Sequence, residues 1–190
     1  MVLNSKLVAD CLWALWLIWG VYWTVYSFGN KRTVYRQSLR SRLLYFGFAF
    51  VVIVAVRHMT IPGTPIFQET IWTQIGGLLL CAAGIGTTLW ARRILGSNWS
   101  GLITLKENHE LIRTGPYRFV RHPIYSGLIL AVAGSVIAAD PFLRGVILLA
   151  LVAIGLKLKS LGEEKILIPQ FPESYPIYKR EVKSLIPFVW

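Results

Sequence analysis

The chain has 190 residues, 55% of them hydrophobic and 15% charged, with a mean hydropathy of +0.55, an apolar excess beyond what a soluble core of this size needs. Its formal net charge of +11 raises nucleic acid as a partner, but the cations separate long apolar runs instead of gathering on a polar domain, so that class is excluded. Cys11 and Cys81 both lie inside apolar runs without CxxC or Cys/His spacing, which indicates neither a disulfide framework nor a zinc site.

The first apolar run, residues 7–28, is rich in Trp and Leu and long enough to cross a hydrocarbon core of about 30 Å. No basic segment and no A-x-A cleavage site precede or end it, so it reads as a retained helix, not a signal peptide. A basic loop follows with Lys31, Arg32, Arg36, Arg40 and Arg42. The second run, residues 43–56, spans if its flanking Arg side chains snorkel outward. Ile61-Pro62-Gly63-Thr64-Pro65 is a turn by composition, and the third run, residues 71–95, carries Gly76, Gly77, Gly84 and Gly86, small residues that suit close helix packing.

From Arg92 to Pro123 the chain becomes polar and mixed, with Gly115-Pro116 and His122-Pro123 as helix breakers. A fourth run, residues 125–139, and a fifth, residues 142–158, are joined by Asp140-Pro141, a turn short enough to make them a helical hairpin. The fifth helix continues past the bilayer through Glu163 and Glu164 to Pro169, and the tail, alternating aromatic with charged residues, reads as interfacial. Of the 20 Lys and Arg, only Lys6, Arg57 and Arg144 fall on the side opposite the two polar connections and the tail. The positive-inside rule then places the N-terminus outside and the C-terminus in the cytoplasm. The expected fold is all-α: one multi-pass membrane domain, residues 1–190, with about five transmembrane helices. Residues 1–95 hold three of them, 96–123 the cytoplasmic connection, 124–168 the hairpin and 169–190 the tail.

Two polar clusters are brought to one membrane face by the hairpin: residues 109–125 before the fourth helix, and Lys159, Glu163 and Glu164 at the end of the fifth. Lys159 and Glu163 are four apart and therefore share a helix face. The motifs here are Leu95-Gly96-Ser97-Asn98-Trp99-Ser100, His109-Glu110-Leu111-Ile112-Arg113-Thr114-Gly115-Pro116-Tyr117-Arg118, Arg121-His122-Pro123-Ile124-Tyr125-Ser126-Gly127 and Glu163-Glu164. Phe171, Tyr175, Tyr178 and Leu185-Ile186-Pro187-Phe188 follow.

In this order and spacing the C-terminal half resembles the isoprenylcysteine carboxyl methyltransferases and their phospholipid methyltransferase relatives. The resemblance implies a membrane methyltransferase that binds S-adenosylmethionine without a Rossmann domain; no strand followed by GxGxxG occurs, since Gly84-Ile85-Gly86 lies within an apolar run. By that match His109, Glu110, Leu111, Ile112, Gly115, Tyr117, His122, Pro123, Ile124, Tyr125, Glu163 and Glu164 line the cofactor pocket. Lys159 stands where eukaryotic members carry an Arg to hold the acceptor carboxylate, and Arg180 is a second candidate clamp. No metal site is expected.

The implied partners are a lipophilic small molecule or lipidated peptide as acceptor, and membrane lipids. Carboxyl O-methylation needs no general base, because a carboxylate is ionised at neutral pH. The rival reading, N-methylation of a phospholipid amine, requires one, and His122 or His109 is placed to supply it. A nicotinamide-dependent reductase of the related sterol-reductase type is an alternative of a different class, as is a non-catalytic membrane protein with a relic pocket.

Overall fold

A computed structural model of the chain describes residues 2–27, 33–36, 66, 68–99, 104–106, 110–139 and 143–187. The expected second span, residues 43–56, lies outside these, as do Lys31, Arg32, Arg40 and Arg42 of the basic loop. Five α-helices are described: α1 (Ser5–Ser27), α2 (Ile71–Leu95), α3 (Pro123–Ala139), α4 (Leu143–Gln170) and α5 (Ser174–Glu181). A short antiparallel ribbon accompanies them, β1 (Thr33–Arg36) against β2 (Thr104–Lys106), pairing Thr33 with Lys106 and Arg36 with Thr104. The ribbon was not foreseen, and it ties the chain beyond α1 to the connection beyond α2.

Local chemistry sets the helix ends. Thr70 and Thr73 form a reciprocal capping box at the start of α2, each hydroxyl accepting the other's backbone N–H at 3.1 and 2.9 Å. The same helix stops at Gly96, whose φ of +55° is a left-handed conformation that favours glycine. Pro123 opens α3 at the first helical position, where its missing N–H costs nothing.

The N–H of Leu3 donates to Gln74 Oε1 at 2.6 Å at one end of the bundle, and Arg92 Nη2 donates to the Tyr26 carbonyl at 2.6 Å at the other. Hence α1 and α2 run parallel. Along α2, Gly77 meets Gly134 and Ala138, and Gly84 meets Gly127 and Ala131, so α3 lies antiparallel to α2 with the two backbones pressed together. A Cβ on Gly84 would sit 2.4 Å from the Ala131 nitrogen. Val8, Leu12, Cys81, Ile85, Ala131 and Ala138 fill the space between the three helices, and Trp16 Nε1 donates to Ser135 Oγ across it at 3.1 Å.

The two helices of the hairpin are not packed along their whole length. Leu143, Ile154, Leu158 and Leu161 of α4 are exposed, whereas Ser160 and Glu164 near its C-terminal end are buried. Trp13 on α1 and Trp72 and Leu79 on α2 are exposed as well, which suits surfaces facing lipid. Three segments, Ser5–Tyr26, Ile71–Asn98 and Leu143–Gln170, are long and apolar enough to cross a membrane. With 17 residues, α3 reaches only about 25 Å at a rise of ~1.5 Å per residue.

Candidate active site

The site forms where the chain enters α3, where α4 leaves the bundle, and where the C-terminal tail folds back between them. Gly115, at φ +59°, starts a 3-10 turn over Gly115–Arg118 with Pro116 next in the chain. The turn buries Tyr117, whose hydroxyl donates to the Ala91 carbonyl of α2 at 3.4 Å and whose carbonyl accepts from the Tyr178 hydroxyl of α5 at 2.5 Å. Burial, then the nearby Glu163 charge, raise the pKa of the Tyr117 phenol, keeping it neutral.

The backbone beyond this turn is held by the tail. The N–H groups of Arg121 and His122 donate to the carbonyls of Lys183 and Ser184 at 2.8 and 3.0 Å, and Ser126 Oγ donates to the Leu185 carbonyl at 2.5 Å. These contacts aim the His122 ring between two carboxylates: Nδ1 lies 3.4 Å from Glu163 Oε2, and Nε2 lies 3.3 Å from Glu164 Oε1. Consecutive helical residues diverge by about 100°, so this acid pair reaches two edges of one ring. Tyr125 stacks parallel to the imidazole at 5.5 Å between centroids and donates its hydroxyl to Glu163 Oε1 at 2.5 Å.

The two acids have different surroundings. Glu164 is 2% exposed; its Oε1 accepts from Arg121 Nε and Nη2 at 3.0 and 2.6 Å, and its Oε2 lies 2.8 Å from Lys179 Nζ. The guanidinium of Arg121 also donates to the carbonyls of Lys179, at 3.2 Å, and Val182. Glu163 is 21% exposed and keeps an open edge. For His122, burial pushes the imidazolium pKa down, but hydrogen bonds and charge from both glutamates outweigh it, leaving the pKa above its ordinary value.

Of the expected residues, the structure brings together Tyr117, His122, Pro123, Ile124, Tyr125, Glu163 and Glu164. Ile112 packs in the same apolar cluster as Tyr117, Ile124, Tyr125 and Leu185. Leu111 is half-buried and Glu110 is exposed; His109 lies outside the described residues. Lys159 joins the site, with Nζ 5.3 Å from the Tyr125 ring centroid. Arg180 does not: it is exposed on the last turn of α5, and no contact to either glutamate is found among the described residues.

Sequence reasoning gave no role to Arg121, Lys179, Tyr178 or the tail carbonyls. For Arg121 a signal existed in its place directly before His122-Pro123, and for Tyr178 in its three-residue spacing from Tyr175. Carbonyl acceptors leave no mark in a sequence.

The profile of the isoprenylcysteine carboxyl methyltransferase family matches residues 77–169, which take in the glycine seam, the loop before α3 and both glutamates. A Protein-S-isoprenylcysteine O-methyltransferase of Rattus norvegicus is 28% identical over 127 residues, covering 66% of this chain and 45% of that protein. One of Saccharomyces cerevisiae is 30% identical over 139 residues, 70% of this chain and 58% of that protein. Methanethiol S-methyltransferase 1 of Bradyrhizobium diazoefficiens is 40% identical over 73 residues, 38% of this chain and 24% of that protein. The chain thus spans about half the length of these O-methyltransferase relatives. Long apolar helices together with this match make the chain an integral membrane protein. Residues 77–169, about half of the chain, match the isoprenylcysteine carboxyl methyltransferase family.

Proposed function

We propose that this chain is a membrane-embedded, S-adenosylmethionine-dependent methyltransferase that O-methylates the carboxylate of a prenylated or otherwise lipophilic acceptor. The observation that carries the reading is the half-open Glu163 carboxylate, fixed by Tyr125 and His122 one helical turn from Lys159. Relatives named for O- and S-methylation support methyl transfer as the common activity. The proposed setting is a single membrane domain of about five spans, N-terminus outside and site on the cytoplasmic side. The asymmetry of Lys and Arg supports that orientation.

The residues present fit the donor. A carboxylate with an open edge suits the ammonium of an amino-acid moiety, and the faces of Tyr125 and His122 beside it suit a cationic, partly apolar ligand. When bound, S-adenosylmethionine supplies a methyl group on a sulfonium, open to in-line displacement. Lys159 holds the acceptor carboxylate as a point charge, without the bidentate geometry an arginine would give. The apolar cluster of Ile112, Tyr117, Ile124 and Leu185 excludes water, and alignment with desolvation is the contribution left to the protein. A carboxylate, which ordinarily titrates near pH ~4, is already ionised and asks for no base. His122 is buried with a glutamate at each ring nitrogen, so neither nitrogen is left facing an acceptor, which makes it a poor base for the amine reading.

The test uses the full chain in nanodiscs with methyl-labelled donor and an S-prenylated, N-acylated cysteine. Label released by mild alkali is expected, since esters hydrolyse and methylamines do not. Glu163→Gln is expected to weaken S-adenosylhomocysteine binding at least about tenfold, roughly 1.4 kcal/mol. Alkali-stable label, or none, overturns the proposal.

A further inference from the structure

Resting on that reading, we infer that the adjacent glutamates divide the work: Glu163 alone contacts the donor, while Glu164 with Arg121 is a positioning pair that fastens the C-terminal tail to the site. Glu164 is enclosed: its Oε1 receives Arg121 and lies 3.3 Å from His122 Nε2, while its Oε2 is held by the charge of Lys179 at 2.8 Å without a well-directed hydrogen bond. A ligand ammonium reaching it would have to displace a buried, charge-assisted bond, which is costly in a low-dielectric setting. Among the described residues, Glu163 meets Tyr125 and the other imidazole nitrogen, and it has the exposed edge.

The pair reaches the tail in two directions. Arg121 donates to Glu164 on one side and to the carbonyls of Lys179 and Val182 on the other, while Lys179 returns its ammonium to Glu164. This closed circuit puts α5 and residues 182–185 where the carbonyls of Lys183 and Ser184 accept the N–H groups of Arg121 and His122. The imidazole that orients Glu163 is therefore set by a segment about 60 residues along the chain, with Arg121–Glu164 as the fastening; the Arg121–Val182 bond itself spans 61 residues. Glu164 acts on donor affinity through the tail and not by touching the donor.

The experiment pairs equilibrium binding of S-adenosylhomocysteine with amide hydrogen exchange at residues 174–187, on the full chain in nanodiscs. Glu163→Gln is expected to lose donor affinity at least about tenfold with tail exchange unchanged. Glu164→Gln and Arg121→Met are expected to raise tail exchange and weaken binding together, with Arg121→Lys restoring part of both in proportion. In the unmodified protein, saturating ligand is expected to slow tail exchange, because binding and tail docking are linked. Loss of affinity in Glu164→Gln with an undisturbed tail overturns the inference by making Glu164 a direct contact. Should Glu164→Gln not fold, Arg121→Lys and the ligand effect on the unmodified chain decide the matter: an unchanged tail in both overturns it. If the unmodified protein binds no S-adenosylhomocysteine, the donor reading fails instead, and the exchange data on Arg121→Lys still judge the fastening.

Discussion

A buried imidazole ordinarily gives up its proton, because a low-dielectric surround penalises the cation. His122 is an exception because Glu163 and Glu164 stand at its two ring nitrogens, with Arg121 and Tyr125 completing the shell. Its folded-state pKa is raised, so protonation favours the folded state. That contribution is full below the unfolded value of about 6.5 and is lost as pH climbs through the elevated folded value. The thermal midpoint of the unmodified protein is therefore expected to fall as the buffer is made alkaline. His122→Gln should be less stable near pH ~6, with the gap closing at higher pH; parallel midpoint curves for the two proteins would contradict the charged imidazole. At this scale the motif residues were legible, but their separate roles were not. Two neighbouring glutamates look alike in a sequence, and only the helical divergence of about 100° between them separates a buried acid from a half-open one.

The antiparallel seam between α2 and α3 gives the site its floor. Gly77 and Gly84 on one helix and Gly127 and Gly134 on the other are each seven residues apart, two turns, so each pair lines one helix face. All four oppose backbone atoms of the partner helix at distances a Cβ does not tolerate. By contrast, a Cβ on Gly76 or Gly86 meets nothing within 4 Å. Small residues in the third run were legible as packing devices, but the run alone does not say which face is used; the seven-residue spacing repeated in the fourth run is the signal that does. Gly84→Leu is expected to pry α2 from α3 at a cost of about 3 kcal/mol, read as a lower unfolding midpoint. Gly86→Ala should be neutral or stabilising by up to about 1 kcal/mol, since alanine loses less backbone freedom. Equal losses from the two substitutions would mean that the seam is not the close contact described. The meeting of the start of α3 with the end of α4 was legible in the sequence, whereas the looseness of α4 against α3 was not, because an apolar helix reads the same whether it faces protein or lipid.

For the molecule as a whole, the parallel course of α1 and α2 and the antiparallel course of α3 fix relative directions but not the absolute sense across the membrane. The proposed sense rests on charge: the positive-inside rule expects the cations of the connections and the tail on the cytoplasmic side. An odd number of spans puts the two ends of the chain on opposite sides, so both the parity of the span count and the orientation can be read from two reporters. Val2 and Ile186 are 53% and 49% exposed and lie outside the site. Cys81 is fully enclosed and can stay, so a Cys11→Ala background suffices. In intact cells a membrane-impermeant maleimide is expected to label Val2→Cys, and to label Ile186→Cys only after permeabilisation. The reverse pattern inverts the molecule and puts the donor site where a cytoplasmic cofactor does not reach it. Labelling of both positions from one side makes the number of crossings even, which ends the five-span arrangement while leaving the His122–Glu163 contact intact.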